Sequence, residues 1–555
     1  MSERSGATSL LRSGAVMAAG TAVSRLSGLA RSLLLAMALG VGLHADQFTI
    51  ANTVPNMLYI LLAGGIFNAV LVPQLVRSMK NDADGGEAYA QRVVTLAGLF
   101  LALSTIVLVA GAPWLMDLFL APEWDSPALS GQRESVIAFA RYCLPQVFFY
   151  GMFVLVGQIL NARGRFGPMM WAPIANNVIS VLVLVAYLVL FGTADGVELN
   201  GPFSPSQELL LGVGSTVGIA VQFLVLLPYL RAAGFTYRPR FDFVGTGLGH
   251  TLRLGTWTVL FVVVNQIAYT RVLQLASGGT AGGAGTADQV GTGATVYTGA
   301  FLLVMVPHSI ITVSLATAAL PSLSASARDE ERSGLARTLG ETLRLVLVVI
   351  LPFAAVLPAL APALSNLTWG WGAAQQSYEL FVPTLSLFGV GLLFFTIHYL
   401  MLRGYYALEL TRQVFWIQCL VAATNIVVAS VLVPLVTREA TAPALVVAYA
   451  CAYAVGSTLS YLLLRRRLGS LQTGRLLGFL ARVVPAALVT GGVAWVAASL
   501  LSGWVAPGRH LGALLALVAV AALSAGVYLL LAKLLRVSEA SAVIAAVLRR
   551  GRGRD

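Results

Sequence analysis

Residues Leu511–Leu534 read LGALLALVAVAALSAGVYLLLAKL, with one charge, Lys533, next to the end. The run is continuously apolar and does not alternate with period two, so it is a helix and not an outer-membrane barrel strand. At about 1.5 Å per residue it spans a hydrocarbon core of about 30 Å. Outward from it, similar runs fill the chain: roughly 13–39, 47–76, 88–112, 138–162, 169–191, 208–230, 254–277, 296–322, 343–364, 380–402, 411–434, 442–464 and 479–501. The first two are interrupted by charge or proline. The expected fold is an all-α polytopic membrane protein with 14 transmembrane helices.

Composition agrees. Of 555 residues, 58% are hydrophobic and 10% charged, whereas a soluble domain is about a quarter charged. The net charge of +12 suggests nucleic acid, but the basic residues sit in short loops between spans, where they set topology. With the N-terminus inside, 28 of the 35 Lys and Arg fall on the inner side. Both termini are therefore expected in the cytoplasm, with no nucleic-acid partner and no cleavable signal peptide. Cys143, Cys419 and Cys451 lie inside spans and read as small buried hydrophobes.

The chain also resembles itself at an offset near 245. Pro73 and Pro321, Arg163-Gly164 and Arg403-Gly404, Trp171 and Trp416, and Asn177 and Asn425 recur in the same order. Six spans separate the copies, so the repeat is parallel, about an axis along the membrane normal. The expected organisation is a cytoplasmic segment 1–12, an N-lobe 13–230, a C-lobe 231–464, two further helices within 465–534 and a basic tail 535–555.

Only two lysines occur, Lys80 and Lys533, and neither follows glycine, so no phosphate-binding loop exists. His44, His250, His308, His398 and His510 show no metal-ligand spacing. The protein is expected not to be an enzyme and to hold no cofactor or metal. Uphill movement then draws on a coupling cation or the membrane potential.

Charges inside spans are costly and mark function. Arg25 lies near mid-bilayer, Arg31 is six residues on, Asp46 opens the second span, and Arg271 lies in the outer half of the seventh. Their bland reading is pairing with carbonyls or with Asp46. Their functional reading is a cationic cavity for an anionic, phosphate-bearing substrate, which a planar guanidinium fork suits. Asn56 follows Pro55, and Asn265-Gln266 lie in the seventh span; these amides either bridge helices or bind sugar and peptide groups. The substrate-site candidates are Arg25, Arg31, Asp46, Asn56, Gln266 and Arg271.

Ser24-Arg25-Leu26-Ser27-Gly28-Leu29-Ala30-Arg31, Ala45-Asp46-Gln47-Phe48, Val54-Pro55-Asn56-Met57-Leu58 and Gly65-Ile66-Phe67-Asn68-Ala69-Val70-Leu71-Val72-Pro73 together resemble the opening of the MurJ/MviN lipid II flippases. So does Gly157-Gln158-Ile159-Leu160-Asn161, and Ala319-Leu320-Pro321-Ser322-Leu323-Ser324 resembles the end of that family's eighth helix. The resemblance is dense over 13–180 and mainly architectural beyond about 330. It implies a member of the multidrug/oligosaccharidyl-lipid/polysaccharide exporter superfamily in the bacterial plasma membrane. Two six-helix lobes would enclose a cationic cavity, and helices 13 and 14 would line a groove for a polyprenyl tail. The implied partners are lipid II, membrane lipids, and cell-wall synthesis and division proteins. The implied activity is flipping undecaprenyl-diphosphate-linked disaccharide-pentapeptide outward. The sequence departs from the family at Thr53, Tyr59 and Leu302, where many members carry basic residues. Those departures leave open another polyprenyl-diphosphate saccharide, or a non-transporting scaffold for envelope synthesis.

Overall fold

The computed structural model describes residues 20, 23–24, 27–61, 78, 84, 86–242, 248–282, 291–328 and 331–541. Arg25, the segment 1–12, the second half of the second predicted span and Arg549, Arg550, Arg552 and Arg554 of the tail lie outside them.

Twelve helices among the described residues are long and apolar enough to cross a membrane. They coincide with the third to fourteenth predicted spans. Two shorter helices precede them, α1 (Ser27–Leu39) and α2 (Leu43–Ile60). The twelve are α3 (Glu87–Ala110), α4 (Pro127–Ala162), α5 (Gly167–Phe191), α6 (Pro205–Ala232), α7 (Leu248–Ala281), α8 (Ala294–Thr317), α9 (Arg332–Trp369), α10 (Tyr378–Ala407), α11 (Thr411–Leu435), α12 (Arg438–Leu468), α13 (Thr473–Leu500) and α14 (His510–Leu534).

Lipid exposure is written on the helix surfaces. On α5, Val178, Leu182, Val185 and Val189 are exposed at helical spacing; on α3, Leu99, Leu103 and Ile106 form a matching stripe. Apolar stripes turned outward over many helices have a physical place in hydrocarbon, not in water. The chain is a multi-pass membrane protein.

Local signals set the helix ends. Ser204 caps α6 in a reciprocal capping box with Gln207, and Pro205 takes the first helical position, where its missing N–H costs nothing. α4 starts at Pro127, well before the predicted 138. Residues 130–143 bury Val136, Phe139, Ala140 and Cys143 and leave a polar outer face, and Leu144-Pro145 breaks the helix before Gln146. Polarity had hidden this amphipathic half. Cys143 is buried as expected, whereas Cys451 is exposed on α12, because the small thiol tolerates an apolar outer face.

The chain packs as two compact units, Met1–Asp288 and Gln289–Asp555. In the first, α3, α4 and α6 share a core that includes Leu101, Phe153, Leu155, Phe223 and Phe235. In the second, α9 is central and packs on α8, α10, α13 and α14. Val356 and Ala359 of α9 meet Ala494 of α13 and Val520 of α14.

The seventh span packs with the first unit, and its hydrogen bonds explain why. Ser277 Oγ accepts from the Ala121 N–H at 2.8 Å, and Ser277 O accepts from Trp124 Nε1 at 3.0 Å. Trp124 is fully buried. The loop after α3 is thus fastened to the C-terminal end of α7.

Candidate functional site: a polar cavity in the first unit

Five helices of the first unit turn polar side chains toward one another around a cavity of about 230 Å³. α1 contributes Arg31; α2 contributes Asn52, Thr53 and Asn56; α4 contributes Gln146 and Tyr150; α5 contributes Asn176 and Ser180; α6 contributes Ser215. Position follows from helical spacing: Asn52 and Asn56 are one turn apart, as are Asn176 and Ser180.

The amides are held by one another. Gln146 Nε2 donates to Asn52 Oδ1 at 2.9 Å, and Ser180 Oγ donates to Asn176 Oδ1 at 3.4 Å. Thr53 Oγ1 turns back to the Thr49 carbonyl at 2.7 Å. Gly218 of α6 lets α6 approach: a Cβ there would lie 2.5 Å from Asn176 Oδ1. Tyr150 stacks at a tilt on Tyr59, with ring centroids 4.6 Å apart.

Arg31 is half-buried at this cavity and, among the described residues, makes no hydrogen bond or salt bridge. The expected fold-back of Asp46 toward it therefore does not form a pair. None of its five donors is taken up among the described residues, and a guanidinium fork of this kind suits a phosphate or carboxylate. Around it lie amides and hydroxyls, the groups that hydrogen-bond sugars and peptides.

Asp46 is fully buried and accepts from Thr280 Oγ1 of α7 at 2.7 Å. Gln266 Nε2 donates to the Met57 carbonyl near the C-terminal end of α2. These two bonds lie 11 residues apart on α2 and 14 on α7, in opposite order, so the helices run antiparallel. Arg271 Nη1 donates to Gln274 Oε1, one turn on, at 2.6 Å. Of the predicted set, then, Arg31 and Asn56 line the cavity, Asp46 and Gln266 join α2 to α7, and Arg271 lies along α7. Arg25 lies outside the described residues. Gly28 faces the Asn177 amide, whose Nδ2 donates to Ser24 O and Ser27 Oγ.

Asn52, Gln146, Tyr150, Asn176 and Ser215 were not singled out from sequence. The available signal was a polar residue within an apolar span, read for amides and hydroxyls as it had been for charges.

Four of the histidines pack against neighbouring side chains. His44 stacks on Phe203 at 3.6 Å and His510 on Trp371 at 3.5 Å. His308 and His398 bond to Thr396 and Ser460. The side chain of His250 lies outside the described residues. Among the described residues, no three His, Cys, Asp or Glu side chains gather as a metal site.

A lipid-facing bundle of long helices with a polar cavity in its first unit defines a polytopic all-helical membrane protein. The fold matches a solved multidrug-resistance transporter of the MATE family and MOP superfamily in an inward-facing conformation. The TM-score is 0.63 at 16% identity, covering 81% of this chain and 96% of the other. It also matches the structure described as "Lipid II flippase MurJ, inward closed conformation", with a TM-score of 0.68 at 16% identity over 93% and 98% of the two chains.

The family model described as "Lipid II flippase MurJ" matches residues 35–515, and the chain belongs to that family. Among its relatives, the probable lipid II flippase MurJ of Vibrio cholerae serotype O1 is 28% identical over 417 residues, 73% of this chain and 74% of that protein. That of Haemophilus influenzae is 24% identical over 500 residues, 87% and 92% of the two. The lipid II flippase MurJ of Burkholderia cenocepacia is 27% identical over 397 residues, 70% and 71%. The family is one of transporters, not enzymes.

Proposed function

We propose that the chain flips lipid II, the undecaprenyl-diphosphate-linked disaccharide-pentapeptide, from the inner to the outer leaflet of a bacterial plasma membrane. The carrying observation is the family match over 35–515. The placement of Arg31 at a cavity of amides and hydroxyls supports it.

In this reading fourteen helices cross the membrane, α1 and α2 being the first two, with both termini cytoplasmic. Two six-helix lobes, 13–230 and 231–464, form a parallel repeat and alternate by rocking. The matched surroundings of its markers support the repeat: Asn177 and Asn425 are both buried, and Trp171 and Trp416 both exposed.

Arg31, with Arg25 and Arg271, neutralises the diphosphate, and Asn56 and its neighbouring amides hold the sugar and peptide. Asp46–Thr280 and Gln266–Met57 then act as fastenings between α2 and α7 that must open as the lobes rock. The polyprenyl tail stays in lipid along helices 13 and 14. A second cavity of about 500 Å³ supports this, walled by Pro358 and Pro362 of α9, Val382 of α10, Trp495 of α13 and Leu517 of α14.

The membrane potential drives an anion outward by about 2.3 kcal/mol per charge per 100 mV, without a bound cofactor; a coupling cation would act in the same direction. Cell-wall synthesis and division proteins are the proposed partners. Thr53, Tyr59 and Leu302 stand where many members carry basic residues, which favours as second reading another polyprenyl-diphosphate saccharide.

The test is depletion in the native host, reading the leaflet distribution of lipid II with an externally added probe. Trapping inside, rescued by the wild type and not by Arg31→Ala at equal expression, supports the reading. Lipid II that still reaches the outside overturns it.

A further inference from the structure

The segment after α6, Phe235-Thr236-Tyr237-Arg238-Pro239-Arg240-Phe241-Asp242, alternates with period two. Phe235, Tyr237, Pro239 and Phe241 line an apolar cavity of about 510 Å³ between α3, α4 and α6. Of the intervening residues, Thr236, Arg240 and Asp242 are tied to the first two turns of α3. Gln91 Nε2 donates to Thr236 O at 2.7 Å, Arg240 Nε donates to Gln91 Oε1 at 3.1 Å, and Arg92 Nε donates to Asp242 Oδ2 at 2.9 Å. The segment is thus a strap, apolar on one side and bonded on the other.

We infer that this strap and cavity bind an anionic phospholipid, one acyl chain entering the cavity and the phosphate meeting Arg238. Four observations carry this. The strap lies at the ends of three membrane-crossing helices, which is the depth of the headgroups. Tyr237 and Phe241 are 48% and 68% exposed, as aromatic residues of the membrane interface are. The cavity wall is apolar, with Leu99, Met152, Phe223 and Leu227, and its volume is that of a ligand pocket.

The fourth observation is charge. The nearby carboxylates are already engaged: Glu87 accepts from Thr236, Asp242 from Arg92, and Asp84 from the Gly86 and Ala88 N–H groups, and Arg240 carries charge beside Asp84 and Asp242. Arg163 is held by the Ala233 carbonyl and the Phe235 ring. Arg238 is exposed and, among the described residues, makes no hydrogen bond or ion pair, so its guanidinium reaches a phosphate at the interface. The inference requires only that the helices cross a membrane and does not rest on the identity of the flipped substrate.

Native mass spectrometry of the full chain tests it, comparing phosphatidylglycerol with phosphatidylcholine of the same acyl chains. The wild type retains phosphatidylglycerol at concentrations roughly fivefold or more below those needed for phosphatidylcholine. Arg238→Gln removes that preference and lowers the number of retained phosphatidylglycerols by one; Arg238→Lys restores both. Gly98 lines the cavity, and a Cβ there meets only Met152 Sδ, at 3.9 Å. Gly98→Ala is therefore tolerated, and Gly98→Leu fills the acyl site and lowers retention of both lipids. Equal retention of the two lipids by the wild type, unchanged retention in Gly98→Leu, or displacement by soluble glycerol phosphate would each overturn the inference.

Discussion

Thr280 Oγ1 donates to Asp46 Oδ2 at 2.7 Å, across 234 residues of chain, and Asp46 has no exposed surface. A buried carboxylate is tolerated only while its acceptors are filled. Thr280→Val keeps the shape of the side chain and removes the donor, so it is expected to destabilise the protein by about 1.5–3 kcal/mol, the range for hydrogen bonds to charged groups. Asp46→Asn keeps a partner for Thr280 and is expected to cost less. Thermal unfolding of both variants in the same detergent checks the order. If the bond also has to open during transport, Thr280→Val changes flipping at temperatures where it remains folded. An unchanged midpoint in Thr280→Val would remove the bond from the account of how α7 is held.

Arg344 of α9 donates through Nε to Glu539 Oε1 at 3.0 Å and through Nη1 to Gln472 Oε1 at 3.2 Å. The paired side chains are 10% and 16% exposed. Removing one partner of such a pair strands the other charge. Glu539→Gln is expected to cost about 3 kcal/mol, the low end for a buried pair because some of each side chain still reaches solvent. Replacing both, Arg344→Met with Glu539→Leu, is expected to cost less than the single change. A thermal-unfolding double-mutant cycle reads this directly, and a double variant weaker than Glu539→Gln contradicts it.

Continuity of apolar runs made the third to fourteenth spans legible, because a bilayer imposes length and burial on each one separately. The first turns of α4, before 138, were not legible: Arg133 and Glu134 masked a face that Ser135 and Val136 bury. Arg31 was legible as a charge in hydrocarbon. The cavity it borders was not, since Asn52, Gln146 and Asn176 come together only when five helices are packed. Asp46 shows the remaining gap. Its cost was evident from sequence, but its hydrogen-bond partner, Thr280, is an ordinary residue of another span, and no local pattern selects it.

Asp242 anchors the strap after α6. The hydrogen bond from Arg92, and behind it the charges of Arg92 and Arg240, hold its carboxyl below the ordinary value of 3.8. A carboxyl whose folded pKa is depressed stabilises the attached state above its unfolded value. That contribution fades as pH falls through the folded value. Hydrogen-exchange protection of residues 233–242, taken relative to the intrinsic exchange rate at each pH, is therefore expected to be high and constant near neutral pH and to fall below about pH 4. Asp242→Asn is expected to be less protected at neutral pH and to lose that acid-dependent fall in protection. An acid-dependent loss of protection that persists unchanged in Asp242→Asn would assign it to another carboxylate, Asp84 being the neighbour to test next.

Two adjacent glycines on α13 separate close packing from chain flexibility. A Cβ on Gly491 would lie 2.6 Å from the Ala355 carbonyl oxygen of α9, a backbone atom that cannot swing aside. Gly389 of α10 meets the same stretch of α9, 2.8 Å from the Ala354 carbonyl. Gly492 has nothing within 4 Å of its would-be Cβ. Gly491→Ala forces the two helices apart and is expected to destabilise by about 1–3 kcal/mol, the cost of overpacking. Gly492→Ala gains helix propensity in open space and is expected to be neutral or stabilising by up to about 1 kcal/mol. Thermal midpoints of the two variants, prepared side by side, should therefore move in opposite directions or differ by several degrees. Because α13 and α9 also wall the 500 Å³ cavity, Gly491→Ala should in addition slow the flipping of long-tailed substrate more than Gly492→Ala does. Equal midpoints for the two would mean that α9 and α13 slide freely, and that the close carbonyl contact does not fix their spacing.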